Sequence, residues 1–358
     1  MTTEPRFSHP TRRSFLTTTG LVFGTLSVAG CSSLVSPPSL DAETSWETGP
    51  SLSLDRTEVA AATLGTSLYV IGGIEPGREA SRAVERFDPE RGSWERAPPL
   101  PVGLHHTAAV SVGDAIYVIG GYQNQWDPVN TVYRFDGTAW SERAAMPTVR
   151  GALSAAVHDG TIYVAGGAGI DGILATFERY DTASDSWARG PPMPSAREHL
   201  ASAVVAGKFY AIGGRTGGLR TNQGTTEVYD PATNEWRAVA GMPTARSGFG
   251  ATVFDGAIVV AGGEGAGGTI AEVELYIPET DEWFRLPDLP TPRHGLGVTA
   301  LGNRIFTTAG GPEPGFFYAN TVEVLTFEAG SLRPVVKSSQ SLVCGLPLLG
   351  ELLRGTLC

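Results

Sequence analysis

The chain lacks the features of a membrane-spanning or nucleic-acid-binding protein. No run of 18 apolar residues occurs in its 358 residues, so no transmembrane helix is expected. Positive charge is scarce. Lys and Arg total 26 against 37 Asp and Glu, a net charge of −11, whereas a nucleic-acid surface needs a basic footprint. Removing residues 1–30 deletes three arginines and one acid, so the remainder is more acidic still. The charge reads as ordinary solubility. Cysteines number three. There is no P-loop, zinc-ligand spacing or G-x-S-x-G elbow.

Glycine is abundant, and it is periodic. Gly-Gly pairs stand at 72–73, 120–121, 166–167, 213–214, 262–263 and 310–311, spaced 48, 46, 47, 49 and 48 residues apart. Tryptophans keep step at 46, 94, 140, 187, 236 and 283. A period near fifty means a repeat architecture in which neighbouring units bury each other's faces. Within residues 147–187 the pattern resolves into four short strands. Ala152–Val157 is apolar with small residues, and Asp159-Gly160 is a hairpin turn. Thr161–Ala165 ends at the glycine pair, Ala175–Tyr180 ends at Asp181, and Trp187 lies on the last strand. The glycines permit positive φ or close backbone approach. The tryptophan is a plate to wedge between neighbouring sheets.

Gly-Gly after Tyr-Val, aromatic-Asp pairs such as Phe87-Asp88 and Tyr229-Asp230, and the Met-Pro-x-x-Arg lead-in at 146–150, 193–197 and 242–246 together resemble kelch repeats. The resemblance covers roughly residues 44–329. It implies an all-β, six-bladed kelch-type β-propeller at 44–330, with four antiparallel strands per blade. Trp46 precedes the first pair and no tryptophan follows the last. The N-terminal segment is therefore expected to supply the fourth strand of the sixth blade, removing a sheet edge.

The two ends read differently. Thr11-Arg12-Arg13-Ser14-Phe15-Leu16, followed by a weakly apolar stretch, resembles a twin-arginine export motif. Val28-Ala29-Gly30-Cys31 resembles a bacterial lipobox, with Cys31 as the lipidated residue. Residues 1–30 are then a signal peptide and 31–43 a tether. The chain is expected in the periplasm or at the cell surface, held to a membrane by its N-terminal lipid. The tail, 331–358, packs on the ring or is partly disordered. With Cys31 lipidated, Cys344 and Cys358 can close a loop of about 15 residues, worth roughly 3 kcal/mol, or remain free or intermolecular thiols.

Function must sit in residues that differ between repeats. The lead-in arginines Arg56, Arg150, Arg197, Arg246 and Arg293 recur, with Leu104 in the second repeat. Recurrence favours a structural role, and Arg56 is kept as a ligand candidate. The residues one and two after the arginine are expected to point oppositely, as strand residues do. That places Glu58, His106 and His199 on one ring near the channel mouth. A metal needs three ligands converging at about 2 Å. Since the first, second and fourth blades are not all neighbours, no metal and no cofactor are expected. Tyr122, Arg215 and Glu264 follow their glycine pairs, and Trp126 is the one tryptophan out of register. Arg215 and Glu264 either contact ligand or form a surface ion pair, and Trp126 either stacks on a partner or caps its own loop. Gly263–Gly268 spells G-x-G-x-x-G but precedes a strand-like segment, which excludes a dinucleotide site. The leading expectation is a non-catalytic propeller that binds a protein or cell-envelope glycan through its loop face. Because some exported six-bladed kelch proteins are sialic acid mutarotases, the resemblance keeps a carbohydrate-active enzyme as the alternative.

Overall fold

Between residues 43 and 328, the span that the computed structural model describes, every repeat folds into four antiparallel strands. The signal segment, Cys31, the tail, Cys344 and Cys358 lie outside the described residues. In the third blade the strands are Ser154–His158, Thr161–Ala165, Phe177–Asp181 and Ser186–Arg189. The joining turn carries Asp159 at φ 46 and Gly160 at φ 72, the paired positive values that suit a tight hairpin. First strands of adjacent blades touch in a closed circle, and small residues such as Ala61, Ala109, Ala155 and Ser202 leave a channel between them.

Closure is as the tryptophan register implies. Thr44–Thr48 pairs antiparallel with Val322–Phe327, and Trp46 stands opposite Leu325. The tryptophans also join blades by hydrogen bonds. Trp46 Nε1 donates to Pro287 O at 3.0 Å, Trp94 to Pro50 O at 2.8 Å and Trp187 to Ala144 O at 2.8 Å. Each plate is thus anchored in the preceding blade by its polar edge.

Backbone proximity explains the glycine pairs. A Cβ on Gly72 would lie 2.4 Å from Leu104 O, and one on Gly73 would lie 2.6 Å from Thr57 O. The sixth pair is shifted by one residue from its sequence appearance. Ala309 at φ 57 and Gly310 at φ 95 take the positions of Gly262 and Gly263, and Gly311 occupies the position after the pair.

The five lead-in arginines are buried clamps, each inside its own blade. Arg56, a candidate from sequence, is 0 % exposed. Its Nη1 donates to Gly72 O at 2.7 Å and its Nη2 to Glu85 Oε2 at 2.5 Å. The same guanidinium–carboxylate pair recurs as Arg150–Glu178, Arg197–Glu227, Arg246–Glu274 and Arg293–Glu323. Burying a charge requires such a partner.

Candidate ligand-binding site at the channel mouth

Beyond each clamp the chain turns over the axis. The residues two after the arginine position are Glu58, His106, Ala152, His199, Gly248 and Gly295, and all six have φ between 51 and 62. Their backbones form a belt. His106 N donates to Glu58 O at 3.2 Å, Ala152 N to His106 O at 2.9 Å, and so on to Gly295 N on Gly248 O at 2.7 Å. Val59 N closes the circle on Gly295 O at 3.1 Å. The left-handed conformation costs an L-residue about 1–2 kcal/mol, so the belt concentrates strain at the mouth. Directly beneath lies a cavity of ≈ 100 Å³, lined by Glu58, His106, His199 and the residues that follow them.

This backbone corrects two expectations. Side chains one and two after the arginine do not point oppositely, because alternation holds only for extended chain. His105, Glu198 and His294 therefore join Glu58, His106 and His199 at the mouth. Nor does descent from non-adjacent blades separate the latter three, which meet across the axis with ligand atoms within 4.8 Å of one another.

Glu58 is the hub. Its Oε2 lies 3.3 Å from His106 Nε2 and its Oε1 3.5 Å from His294 Nε2. Burial raises the Glu58 carboxyl above its ordinary value, against the opposing pull of His294 and His199. Burial likewise holds His106 well below the usual imidazole value and His105 down at about 4. His105 Nδ1 and His106 Nδ1 are 2.6 Å apart, within hydrogen-bond distance. Glu58 does not pair with Arg56, whose guanidinium is committed to Glu85.

Arg215 is the second hub. Its Nε donates to Glu198 Oε1 at 2.8 Å and its Nη1 to Glu264 Oε1 at 2.9 Å, while Nη2 lies 3.3 Å from both ring nitrogens of His199. The Arg215–Glu264 pair joins adjacent blades but is not a surface pair, the side chains being 16 % and 7 % exposed. Such pairing is stronger than at a surface.

Aromatic side chains wall one side. Trp126 sits on a 3-10 turn, Asn124–Trp126, at φ 64 and is 46 % exposed. Its ring packs on His105, His106 and Tyr122 at centroid distances of 4.8, 4.9 and 5.4 Å. Phe316, from the sixth blade, lies 6.4 Å beyond, with the Arg78 guanidinium 4.2 Å over its ring. The Tyr122 hydroxyl donates to Ala168 O at 3.1 Å, and burial pushes its phenol up to about 12. The expectation of strand alternation placed His105, Glu198 and His294 off this site. Their clustering at one offset from the arginine is a signal that repeat subtraction can find.

The glycine pairs, tryptophan plates and arginine clamps define a class of repeat propeller. The KLHDC2/KLHL20/DRC7 Kelch-repeats domain matches residues 58–242 and the Kelch motif matches 245–290. The chain belongs to the kelch-repeat family, whose propellers generally mediate protein interactions. No curated protein matches it.

Proposed function

We propose that the loop face around the channel mouth binds a protein or an envelope glycan, with Trp126 and Tyr122 as the aromatic wall and His199, Arg215 and Glu264 as the polar floor. One observation carries the reading. Trp126 is half exposed yet held in a left-handed conformation against His105, His106 and Tyr122. A rigid aromatic beside guanidinium and carboxylate groups suits both a sugar ring and an interface anchor. The test is retention of the chain on immobilised envelope polysaccharide and, separately, on the envelope protein fraction. Trp126→Ala is expected to lose retention with an unchanged melting temperature, and the retaining fraction identifies the partner chemistry. Retention of the unaltered chain on neither fraction sinks the reading.

The proposal includes export and a lipid anchor at Cys31, supported by Thr11–Leu16 and Val28–Cys31. Cys31→Ser should move the exported chain from the membrane to the soluble fraction. An unchanged distribution would remove the anchor from the proposal.

A second reading, mutarotation of a reducing sugar, draws on Glu58. A carboxyl with a raised pKa lies 3.3 Å from a neutral imidazole, the pairing that general acid–base catalysis uses. Anomer exchange followed by NMR should accelerate with the chain and lose that acceleration in Glu58→Gln. No acceleration by the unaltered chain ends this reading.

A further inference from the structure

The belt brings together a set of donors that ligand contact alone does not account for. Glu58, His106 and His199 each offer one ligand atom, and these atoms lie within 4.8 Å of one another. The Glu58–His106 separation of 3.3 Å already matches the roughly 3.4 Å between donors around a tetrahedral ion with bonds of about 2.0–2.1 Å. Metal binding requires the wider separations to close by side-chain rotation.

Both imidazoles have Nδ1 engaged elsewhere. His199 Nδ1 lies 3.5 Å from Glu198 Oε1, and His106 Nδ1 lies 2.6 Å from His105 Nδ1. Arg215 Nη2 lies 3.3 Å from both His199 nitrogens, so a metal ion on His199 Nε2 takes the place of that contact, leaving Arg215 on Glu198 and Glu264. With its Nδ1 facing His105, His106 presents Nε2 to the Glu58 carboxyl. Two electron-rich atoms facing each other at that distance need a proton or a metal ion between them.

We propose that the channel mouth binds a divalent transition-metal ion of the Zn²⁺ type, through the Glu58 carboxylate and the Nε2 atoms of His106 and His199. Glu198 and His105 are positioning residues that orient the two rings, the arrangement usual behind metal-bound histidines. His294, 3.5 Å from Glu58 Oε1, does the same for the carboxylate. Two imidazoles and one carboxylate select Zn²⁺ and its neighbours over Mg²⁺ or Ca²⁺. Three protein donors leave a coordination position for water or ligand, and the ≈ 100 Å³ cavity adjoins it. The charge is suitable. Once Glu58 gives up its proton to the metal, the carboxylates of Glu58, Glu198 and Glu264 outnumber the Arg215 guanidinium, and a divalent cation brings the cluster to neutrality. Metal binding here stands independently of what the loop face recognises.

The full chain, stripped with a chelator and titrated with Co²⁺, is expected to take up one ion and develop the visible absorption of a four-coordinate site. Zn²⁺ should displace it one for one. Glu58→Gln and His199→Asn should each abolish stoichiometric uptake, and His105→Asn should weaken it about 10–100-fold. His158→Ala, remote from the mouth, should change nothing. No uptake by the unaltered chain, or uptake that survives both Glu58→Gln and His199→Asn, overturns the proposal. If those variants do not fold, histidine-ring NMR of the unaltered chain decides. Zn²⁺-induced shifts at His106 and His199 support the site, and unshifted rings overturn it.

Discussion

Glu178 Oε2 lies 2.9 Å from Arg150 Nη2, and neither side chain is exposed to solvent. The other carboxylate oxygen accepts from the Thr148 hydroxyl at 2.7 Å. The second blade has replaced all three partners together. Val102, Leu104 and Tyr133 occupy the equivalent places and share one apolar cluster. A buried ion pair and a well-packed apolar substitute are interchangeable as units, while a broken pair is not. Glu178→Gln or Arg150→Met should therefore cost about 3–5 kcal/mol. The combination Thr148→Val, Arg150→Leu, Glu178→Tyr, copying the second blade, should recover most of that. Denaturant unfolding measures both.

Closure by Thr44–Thr48 makes the ring dependent on its first strand. Trp46→Ala removes a partly buried plate and its bond to Pro287, and is expected to cost about 1–3 kcal/mol. Deleting residues 44–52 should lower the melting temperature of the whole ring. A truncated chain that melts like the intact one would show that the sixth blade closes some other way.

Two belt glycines separate backbone strain from steric clash. A Cβ on Gly248 meets nothing nearer than 3.6 Å, so Gly248→Ala should cost only the left-handed penalty of about 1–2 kcal/mol. On Gly295 it would lie 2.6 Å from Glu58 N, so Gly295→Ala must also displace the belt and should cost clearly more. Equal losses in thermal unfolding would show that the belt yields without cost.

Tyr122 links stability to alkaline pH. Its folded phenol titrates at about 12, above its ordinary value near 10, because burial disfavours the phenolate. Between those values the unfolded chain has lost a proton that the folded chain keeps. Stability is thus full below about pH 10 and falls as pH rises toward 12. Burial also raises Tyr180 and Tyr276, so Tyr122→Phe should lessen that decline without abolishing it, and ultraviolet titration should lose one late-ionising phenol of several.

The repeat was legible because one mechanical device was copied around the ring. Glycine where backbone crosses, tryptophan where blades abut and arginine where a carboxylate waits all leave fixed letters at fixed intervals. Glu58, His106 and His199 were assigned to one ring by their offset from the arginine, and they lie on one. What the letters did not carry was the local conformation. Positive φ, as at Glu58, His106 and His199, is uncommon for any residue but glycine, and no composition rule announces it. The assumption of strand alternation therefore sent His105, Glu198 and His294 to the wrong side. The sixth glycine pair misled for a similar reason, because Ala309 adopts a backbone that glycine usually supplies.

Glu328 N donates to Glu43 O at 3.0 Å, so the first and last described residues are hydrogen-bonded neighbours on one blade. Topologically the ring has no privileged starting point. Splicing residue 43 to residue 328 through a short linker and reopening the chain at an exposed hairpin, such as Asp255-Gly256, would write the same object from a different first letter. The sixth blade would then be built from consecutive sequence like the others, and the seam would move to the fifth.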